Sequence, residues 1–165
     1  MAQLRLVRQM PFAPGQRDLA AILSHVRYEI EQCFIIPQHD TGDHHIRESV
    51  FLAILVHARL LLDFFETASR FRDDVLCSDF GFQTTRVPLP TDDRTRLNKD
   101  IAHLTYSRLR HTAQTKPWPV DAILGSLRPT VVAFIKHVLD HPPQQVETQE
   151  LEHWRILYDA FTRPA

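Results

Sequence analysis

The chain has 165 residues, of which 44% are hydrophobic and four are glycine, and its formal net charge is −1 at pH 7. This length and composition predict a single domain whose hydrophobic core is large enough to fold without disulfides or structural metals. Because the net charge is close to zero, bulk charge argues against general affinity for nucleic acids or membranes, although it leaves room for a local basic surface.

Cysteine usage and hydropathy predict a cytoplasmic protein. Cys33 and Cys77 are the only cysteines and form no Cys-x-x-Cys pair, so neither a zinc site nor a disulfide framework is expected. The first 15 residues contain no apolar segment of signal-peptide length. The most hydrophobic run, residues 50–65, is short and interrupted by charged residues, so we expect no membrane span.

The N-terminal half predicts two helices. Residues 1–15 contain two prolines and a glycine and are expected to be an irregular leader. Apolar residues recur at three- and four-residue steps over 18–34, which predicts the first helix. The second predicted helix, residues 44–70 after the N-cap residue Asp43, is the longest and is apolar around most of its circumference. We therefore expect it to be the most buried element of the fold.

Three side chains of the second predicted helix are expected to have structural roles. Arg59 and Asp63 stand four residues apart, a spacing that allows them to pair on the helix surface. His57 lies on the apolar face, where a histidine is usually a core residue that hydrogen-bonds to a neighbouring helix. The alternative role for His57 is that of a buried ligand or acid–base group.

The C-terminal half predicts three more helices. Residues 71–90 are expected to be a connection that leads into a third helix over 92–111. The fourth helix is expected to begin at 119 or 120 and to end near 140, with a kink or break caused by Pro129. With a fifth helix over 146–161, these elements predict an all-α fold. We expect a four-helix up-and-down bundle with the fifth helix appended at the C-terminus.

The third predicted helix carries the leading candidate site. Arg96 and His103 are seven residues apart, so in a helix they point the same way two turns apart. Histidine can act as a general acid or base and arginine can stabilise phosphate charge, which makes metal-independent RNA cleavage one hypothesis. Polar residues around the pair are expected to bind substrate: Asn98, Lys99, Asp100, Ser107 and Arg110. A solvated helix face and a dimer interface are the alternatives.

Arg108 is predicted to lie on the apolar side of the same helix. A buried arginine needs a carboxylate partner. Four aspartates are candidates for that partner: Asp63, Asp73, Asp74 and Asp79. We expect Arg108 to be a structural clamp that holds the third helix against the second helix or the connection after it, with substrate binding as the alternative.

Two groups of residues have the chemistry of metal ligands without a recognised metal motif. His137 and His141 stand at i and i+4, but no glutamate follows His137, so the HExxH zincin pattern is absent. The second group lies in a loop and helix start without regular spacing: His39, Asp40, Asp43, His44 and His45. We therefore expect no metal ion and no other cofactor.

The segment Arg96-Leu-Asn-Lys-Asp-Ile-Ala-His103 resembles the motif of the HEPN superfamily, in which a histidine follows an arginine after four to six intervening residues. The resemblance implies an all-α bundle of four or five helices that commonly forms dimers. Active members of that family are metal-independent ribonucleases, and many other members are non-catalytic. For this chain the resemblance implies phosphate binding by Arg96 and an acid–base role for His103.

The leading functional prediction is a HEPN-like endoribonuclease of a toxin or phage-defence system that forms a homodimer through the face of the third helix. Its expected partners are RNA and a cognate antitoxin or regulatory protein. The first alternative is a non-catalytic interaction or regulatory module of the same fold. The second is a DinB-like metal-dependent bundle enzyme, which would use His57, His137 and His141.

Overall fold

The computed structural model describes residues 13–35, 42–69, 71, 73–101, 103, 106, 109, 111–112, 114 and 116–163. Within them the chain forms five α-helices: α1 (Gln16–Phe34), α2 (His44–Glu66), α3 (Thr91–Asp100), α4 (Val120–Asp140) and α5 (Thr148–Thr162). A short 3₁₀ helix, Cys77–Phe80, lies between α2 and α3. No described residue belongs to a β-strand, so the predicted all-α fold is confirmed. The HEPN-like bundle arrangement stays a prediction.

The N-terminus of α2 is fixed by the predicted cap. The Asp43 carboxylate accepts hydrogen bonds from the backbone N–H groups of His45 at 2.8 Å and of Ile46 at 3.3 Å. These bonds satisfy donors that the first turn of a helix leaves unpaired. At the other end, α2 stops at Glu66, four residues before the predicted boundary.

Pro129 does not break α4. The helix continues from Val120 to Asp140 with the proline inside it, so of the predicted kink or break the break is absent and the kink stays a prediction. A proline in a helix interior costs roughly 3 kcal/mol. Leu127 and Val131, on either side of the proline, are both fully buried. Burial of these two side chains holds both halves of α4 against the core and offsets the lost backbone hydrogen bond.

The third helix is much shorter than predicted. α3 ends at Asp100, whereas the sequence pattern predicted a helix that continues to residue 111. Only Leu97 and Asp100 of its ten residues are buried. Short helices depend on tertiary packing for stability, and the large apolar side chains of Tyr106 and Leu109, further along the predicted helix, are exposed rather than packed. The prediction of a long third helix is therefore wrong.

Arg94, in the first turns of α3, connects α3 to α2. The Arg94 guanidinium donates a hydrogen bond to the Glu66 carboxylate at the end of α2, and another to the Val87 carbonyl at 2.9 Å. The other oxygen of Glu66 accepts the Val87 backbone N–H at 2.8 Å. The predicted clamp residue, Arg108, lies outside the described residues, so its role stays a prediction.

The core is organised around Phe134 of α4. Its ring makes edge-to-face contacts with aromatic rings from α2, from the connection after α2 and from α5, at centroid distances between 5.1 and 6.0 Å. The rings in contact with it are Phe64, Phe65, Phe80, Phe82 and Trp154. Such aromatic pairs contribute stabilising free energy in addition to that from burying their apolar surface. One side chain therefore joins three helices and the 3₁₀ segment.

α2 is less buried than predicted. It has seven buried side chains among its 23 residues, and α4 has the same number among 21. Five large apolar side chains of α2 are exposed: Ile46, Phe51, Leu52, Val56 and Leu60. The apolar circumference of α2 is wider than the surface that its neighbours cover. The expectation that α2 is the most buried element is therefore wrong.

α4 is the one described helix that is long and apolar enough, by length and composition, to cross a membrane. From hydropathy along the sequence, only residues 50–65 had been a candidate for that role. Buried core helices of soluble proteins have the same length and composition. In this structure α4 packs against α1, α2 and α5, and seven of its side chains are buried in these contacts.

Leu61→Ala is expected to lower the free energy of unfolding by roughly 2–5 kcal/mol, because Leu61 is 1% exposed and its loss leaves a cavity. Urea unfolding followed by far-UV circular dichroism measures the change. The matched control is Ile156→Ala, since Ile156 is 59% exposed and its truncation should cost less than about 0.5 kcal/mol. Equal losses in the two variants would show that Leu61 is not in the core.

A bidentate ion pair joins α1 to α5. Arg27 donates to both carboxylate oxygens of Glu150, at 2.9 and 3.1 Å, and to Glu31 at 2.7 Å. The Trp154 indole N–H donates to the same Glu150 carboxylate at 3.0 Å. Burial by itself would raise the pKa of Glu150, but the hydrogen bonds from Arg27 and Trp154 outweigh it and hold the pKa below its ordinary value of 4.5.

The lowered pKa of Glu150 predicts a pH dependence of stability. A carboxyl whose folded-state pKa is depressed stabilises the fold at pH values above its unfolded pKa, and this contribution disappears as the pH falls through the folded pKa. The free energy of unfolding should therefore fall less steeply for Glu150→Gln than for the parent between pH 6 and acid values below 4.5. Glu152→Gln, at an exposed carboxylate of the same helix, is the control and should retain the parental slope.

Candidate functional site

Arg96, the predicted phosphate-binding residue, is engaged by the chain itself. Its guanidinium donates hydrogen bonds to the backbone carbonyls of Lys116 and of Pro117, the latter at 3.1 Å, and lies 4.0 Å above the centroid of the Trp118 ring. Burial lowers the pKa of Arg96, while the Asp100 and Asp93 carboxylates act in the opposite direction. The side chain thus fastens the segment before α4 to α3 through charge-assisted hydrogen bonds and a cation–π contact.

His103, the predicted acid–base residue, lies beyond the end of α3. Its backbone N–H donates to the Lys99 carbonyl at 3.0 Å, and its side chain is exposed. The argument that placed Arg96 and His103 on one stripe required a continuous helix through both residues. Because α3 ends at Asp100, the described residues do not show the continuous helix on which that argument depended, and the pairing of Arg96 with His103 stays a prediction.

Asp100 is buried and pairs with a histidine that the sequence pattern did not single out. The Asp100 carboxylate lies 3.0 Å from His111 Nε2, and the residue is only 8% exposed. A carboxylate that orients an imidazole is a common arrangement in general acid–base sites. No fixed spacing would have revealed this pair, since Asp100 belongs to α3 and His111 lies outside the α-helices.

The remaining residues of the predicted α3 site are only partly described. Asn98 and Lys99 are exposed on α3. Ser107 and Arg110 lie outside the described residues. Their predicted binding roles stay predictions, and the structure provides no geometry that brings them to Arg96.

On α2, Arg59 and Asp63 are close enough to influence one another but do not form a salt bridge in the described structure. Burial raises the pKa of Asp63, Arg59 opposes the change, and the carboxylates of Glu66 and Asp74 add to it. Asp63 lines a cleft of about 390 Å³ between α1, α2 and the segment around Val75. The surface pairing that the sequence allowed for Arg59 and Asp63 is therefore absent.

His57 links α2 to α1. Its Nδ1 atom lies 2.6 Å from a carboxylate oxygen of Glu29, and its ring makes an edge-to-face contact with Tyr28 at a centroid distance of 5.8 Å. On α4, His137 Nε2 lies 2.8 Å from the Phe80 carbonyl oxygen, and the His137 ring stacks on His141 at a centroid distance of 4.8 Å. These histidines contact different partners, contrary to what the DinB-like hypothesis requires.

Metal-ligating side chains do not gather elsewhere in the described chain. Within those residues, no three histidine, cysteine, aspartate or glutamate side chains lie close enough together to hold one metal ion. Of the cluster predicted at the start of α2, His39 and Asp40 lie outside the described residues. Asp43, His44 and His45 are exposed, and the Asp43 carboxylate caps the helix.

A surface that the sequence analysis did not identify lies along α2. Ile46, Leu52, Val56 and Leu60 are between 38% and 50% exposed. At 100° per residue these four side chains fall within an arc of about 120° on the helix. We call them the α2 apolar face. The hydrophobicity of α2 was visible in the sequence, but the side that remains exposed depends on where the other helices pack.

No protein-family model, no curated protein and no solved structure matches this chain. The resemblance of residues 96–103 to the HEPN motif therefore stays a prediction. The function has to be argued from the residues and their geometry.

Arg96→Ala is expected to lower the free energy of unfolding by roughly 1–3 kcal/mol, because it removes charge-assisted hydrogen bonds to two carbonyls and the contact with Trp118. His103→Ala is the matched control and should change stability by less than about 0.5 kcal/mol, since its side chain is exposed. Chemical denaturation of both variants provides the comparison. An unchanged stability in Arg96→Ala would mean that its guanidinium is free for another role.

Proposed function

We propose that this protein is a non-catalytic interaction module that binds another protein surface through the α2 apolar face. The observation that carries the proposal is the exposure of Ile46, Leu52, Val56 and Leu60 in one stripe along a helix. Clustered exposed apolar side chains mark interaction sites far more often than isolated ones do. In this proposal the chain keeps the HEPN-like bundle arrangement and the cytoplasmic location expected from its sequence.

The surroundings of the stripe support a binding surface. Glu48 and Arg59 lie beside the apolar side chains, and His45 and Asp63 lie at the two ends. Protein interfaces commonly have such an apolar centre and a polar rim, because the rim determines orientation while the centre supplies the hydrophobic free energy. The stripe rises about 21 Å along the helix axis from Ile46 to Leu60, enough to contact a partner helix over several turns.

The contacts of Arg96 and the position of His103, the predicted catalytic pair, also support an interaction module rather than an enzyme. Arg96 donates to two backbone carbonyls and stacks on Trp118, so part of its capacity to bind a phosphate is already used. His103 lies beyond the end of α3, outside the helix that carries Arg96. An enzyme that cleaves RNA without a metal needs both groups directed at one phosphate.

A photo-crosslinking amino acid at position 56 tests the proposal. In an extract of the source cells it should crosslink to a protein, because Val56 lies in the α2 apolar face, and the product should disappear when Leu52→Glu is added. The same amino acid at position 156, an exposed site on α5, is the control and should give no such product. Equal labelling at both positions, or labelling that survives Leu52→Glu, would contradict the proposed binding surface.

The second candidate function is a metal-independent ribonuclease of a toxin or defence system, as the HEPN resemblance implies. The observation that favours a ribonuclease is the pairing of His111 with the buried Asp100. Asp100 lies one helical turn after Arg96 on α3. RNA incubated with excess protein in EDTA separates the two functions, since an interaction module leaves the RNA intact. Cleavage lost in His103→Ala would support the motif, and cleavage lost only in His111→Ala would assign the reaction to the Asp100–His111 pair.

A further inference from the structure

We infer that the partner of the α2 apolar face is the same face of a second copy of this chain, packed antiparallel about a two-fold axis near residue 54. This inference rests on the proposed function and names the partner of its surface. In an antiparallel pair of identical helices, each residue lies opposite the one equally far from the axis on the other side. A surface can pair with itself in this way only if its apolar and charged residues are arranged symmetrically about one point.

The apolar residues of α2 meet this condition. Leu52 and Val56 lie at the centre of the stripe, and their midpoint is position 54. Ile46 and Leu60 lie towards its ends, with a midpoint at 53. All four are exposed, and Ser49 and Ala53 lie between them on the same arc of the helix. Antiparallel packing about position 54 therefore brings Leu52 against Val56 of the partner subunit, with small residues beside them.

The polar residues along the stripe have the same centre of symmetry. Glu48 and Arg59 lie on the same edge of the stripe, and their midpoint lies between positions 53 and 54. His45 and Asp63 lie at its two ends, and their midpoint is 54. An antiparallel pair thus places Glu48 near Arg59 of the partner subunit, and His45 near Asp63 of the partner subunit. A parallel pair would instead place each charge beside an identical one, which is unfavourable.

Within the described residues of one chain, Glu48 and Arg59 are not held in buried ion pairs, so they can pair with a second copy. The Glu48 carboxylate lies 3.3 Å from the exposed His44 imidazole, a surface contact worth little in water. Arg59 makes no salt bridge to Asp63 in the described structure. Two copies can therefore exchange these charges across the interface without breaking a buried ion pair.

The sequence pattern predicted the dimer interface on the face of the third helix. Within α3, Leu97 is the only apolar residue and is fully buried, and the exposed Tyr106 and Leu109 lie beyond the end of the helix. An interface needs apolar area that leaves water on association. A single pair of helices buries less than the roughly 800 Å² per partner of a standard stable interface. We therefore expect a monomer–dimer equilibrium that depends on concentration, centred on α2.

Sedimentation equilibrium of the full chain over a range of concentrations tests the dimer. The parent should approach twice the monomer mass, and Val56→Glu should remain at the monomer mass at every concentration. Ile156→Glu adds the same charge to an exposed apolar site on α5 and should dimerise like the parent. Circular dichroism confirms that each variant is folded. A parent that stays monomeric at all concentrations, or a Val56→Glu variant that dimerises like the parent, overturns the inference.

Charge reversal tests the antiparallel pairing. Glu48→Arg and Arg59→Glu should each weaken dimerisation, because each places like charges opposite one another, and the double variant should restore it. A double variant as weak as either single variant overturns the assigned pairing.

Engineered cysteines test the position of the axis. In this register two copies of Ala53→Cys lie about 3 Å apart along the helix axes and should form a disulfide under mild oxidation. Two copies of Ser49→Cys lie about 15 Å apart along the axes and should not. The natural cysteines, Cys33 and Cys77, are buried and do not compete. Crosslinking through position 49 instead of 53 overturns the register.

The results also separate this inference from the proposed function. A monomeric parent whose position 56 still crosslinks to a different protein overturns the homodimer and leaves the interaction module standing. A monomeric parent whose position 56 crosslinks to nothing overturns both.

Discussion

The contact of Phe134 with five surrounding aromatic rings is the constraint on which the rest of the structure depends. It joins α4 to the end of α2, to the 3₁₀ segment and to Trp154 of α5. Since edge-to-face packing is directional, it determines both the relative orientation of these elements and the distance between them. The Arg27–Glu150 ion pair then ties α1 to the α5 side of the same assembly.

This arrangement explains why α2 has two unlike apolar sides. Its C-terminal half contributes Phe64 and Phe65 to the aromatic cluster, and α1 covers a second side, where His57 meets Glu29. The four apolar side chains on the arc from Ile46 to Leu60 remain between 38% and 50% exposed. The geometry that buries one face of α2 therefore exposes the other, and the proposed binding surface is a consequence of the fold.

α3 is held to the rest of the structure by polar contacts rather than by apolar packing. α3 has almost no apolar surface and is held by specific hydrogen bonds: Arg94 to Glu66 of α2, and Arg96 to the chain before α4. Arginine suits this role because its planar guanidinium can bond to several oxygens and stack on an aromatic ring at once. A residue that resembles a catalytic arginine in sequence can thus serve as a structural tie.

The sequence by itself determined the all-α class, the approximate positions of the helices and the Asp43 cap, because apolar periodicity and capping are local properties of the chain. Only the tertiary structure decided that α3 ends at Asp100, that Arg96 contacts Trp118 and that Asp100 pairs with His111. Each of these depends on residues distant in sequence, which no local pattern specifies. The exposed side of α2 was undecided for the same reason: periodicity shows that a helix is apolar, whereas the packing of its neighbours decides which apolar side chains remain in contact with water.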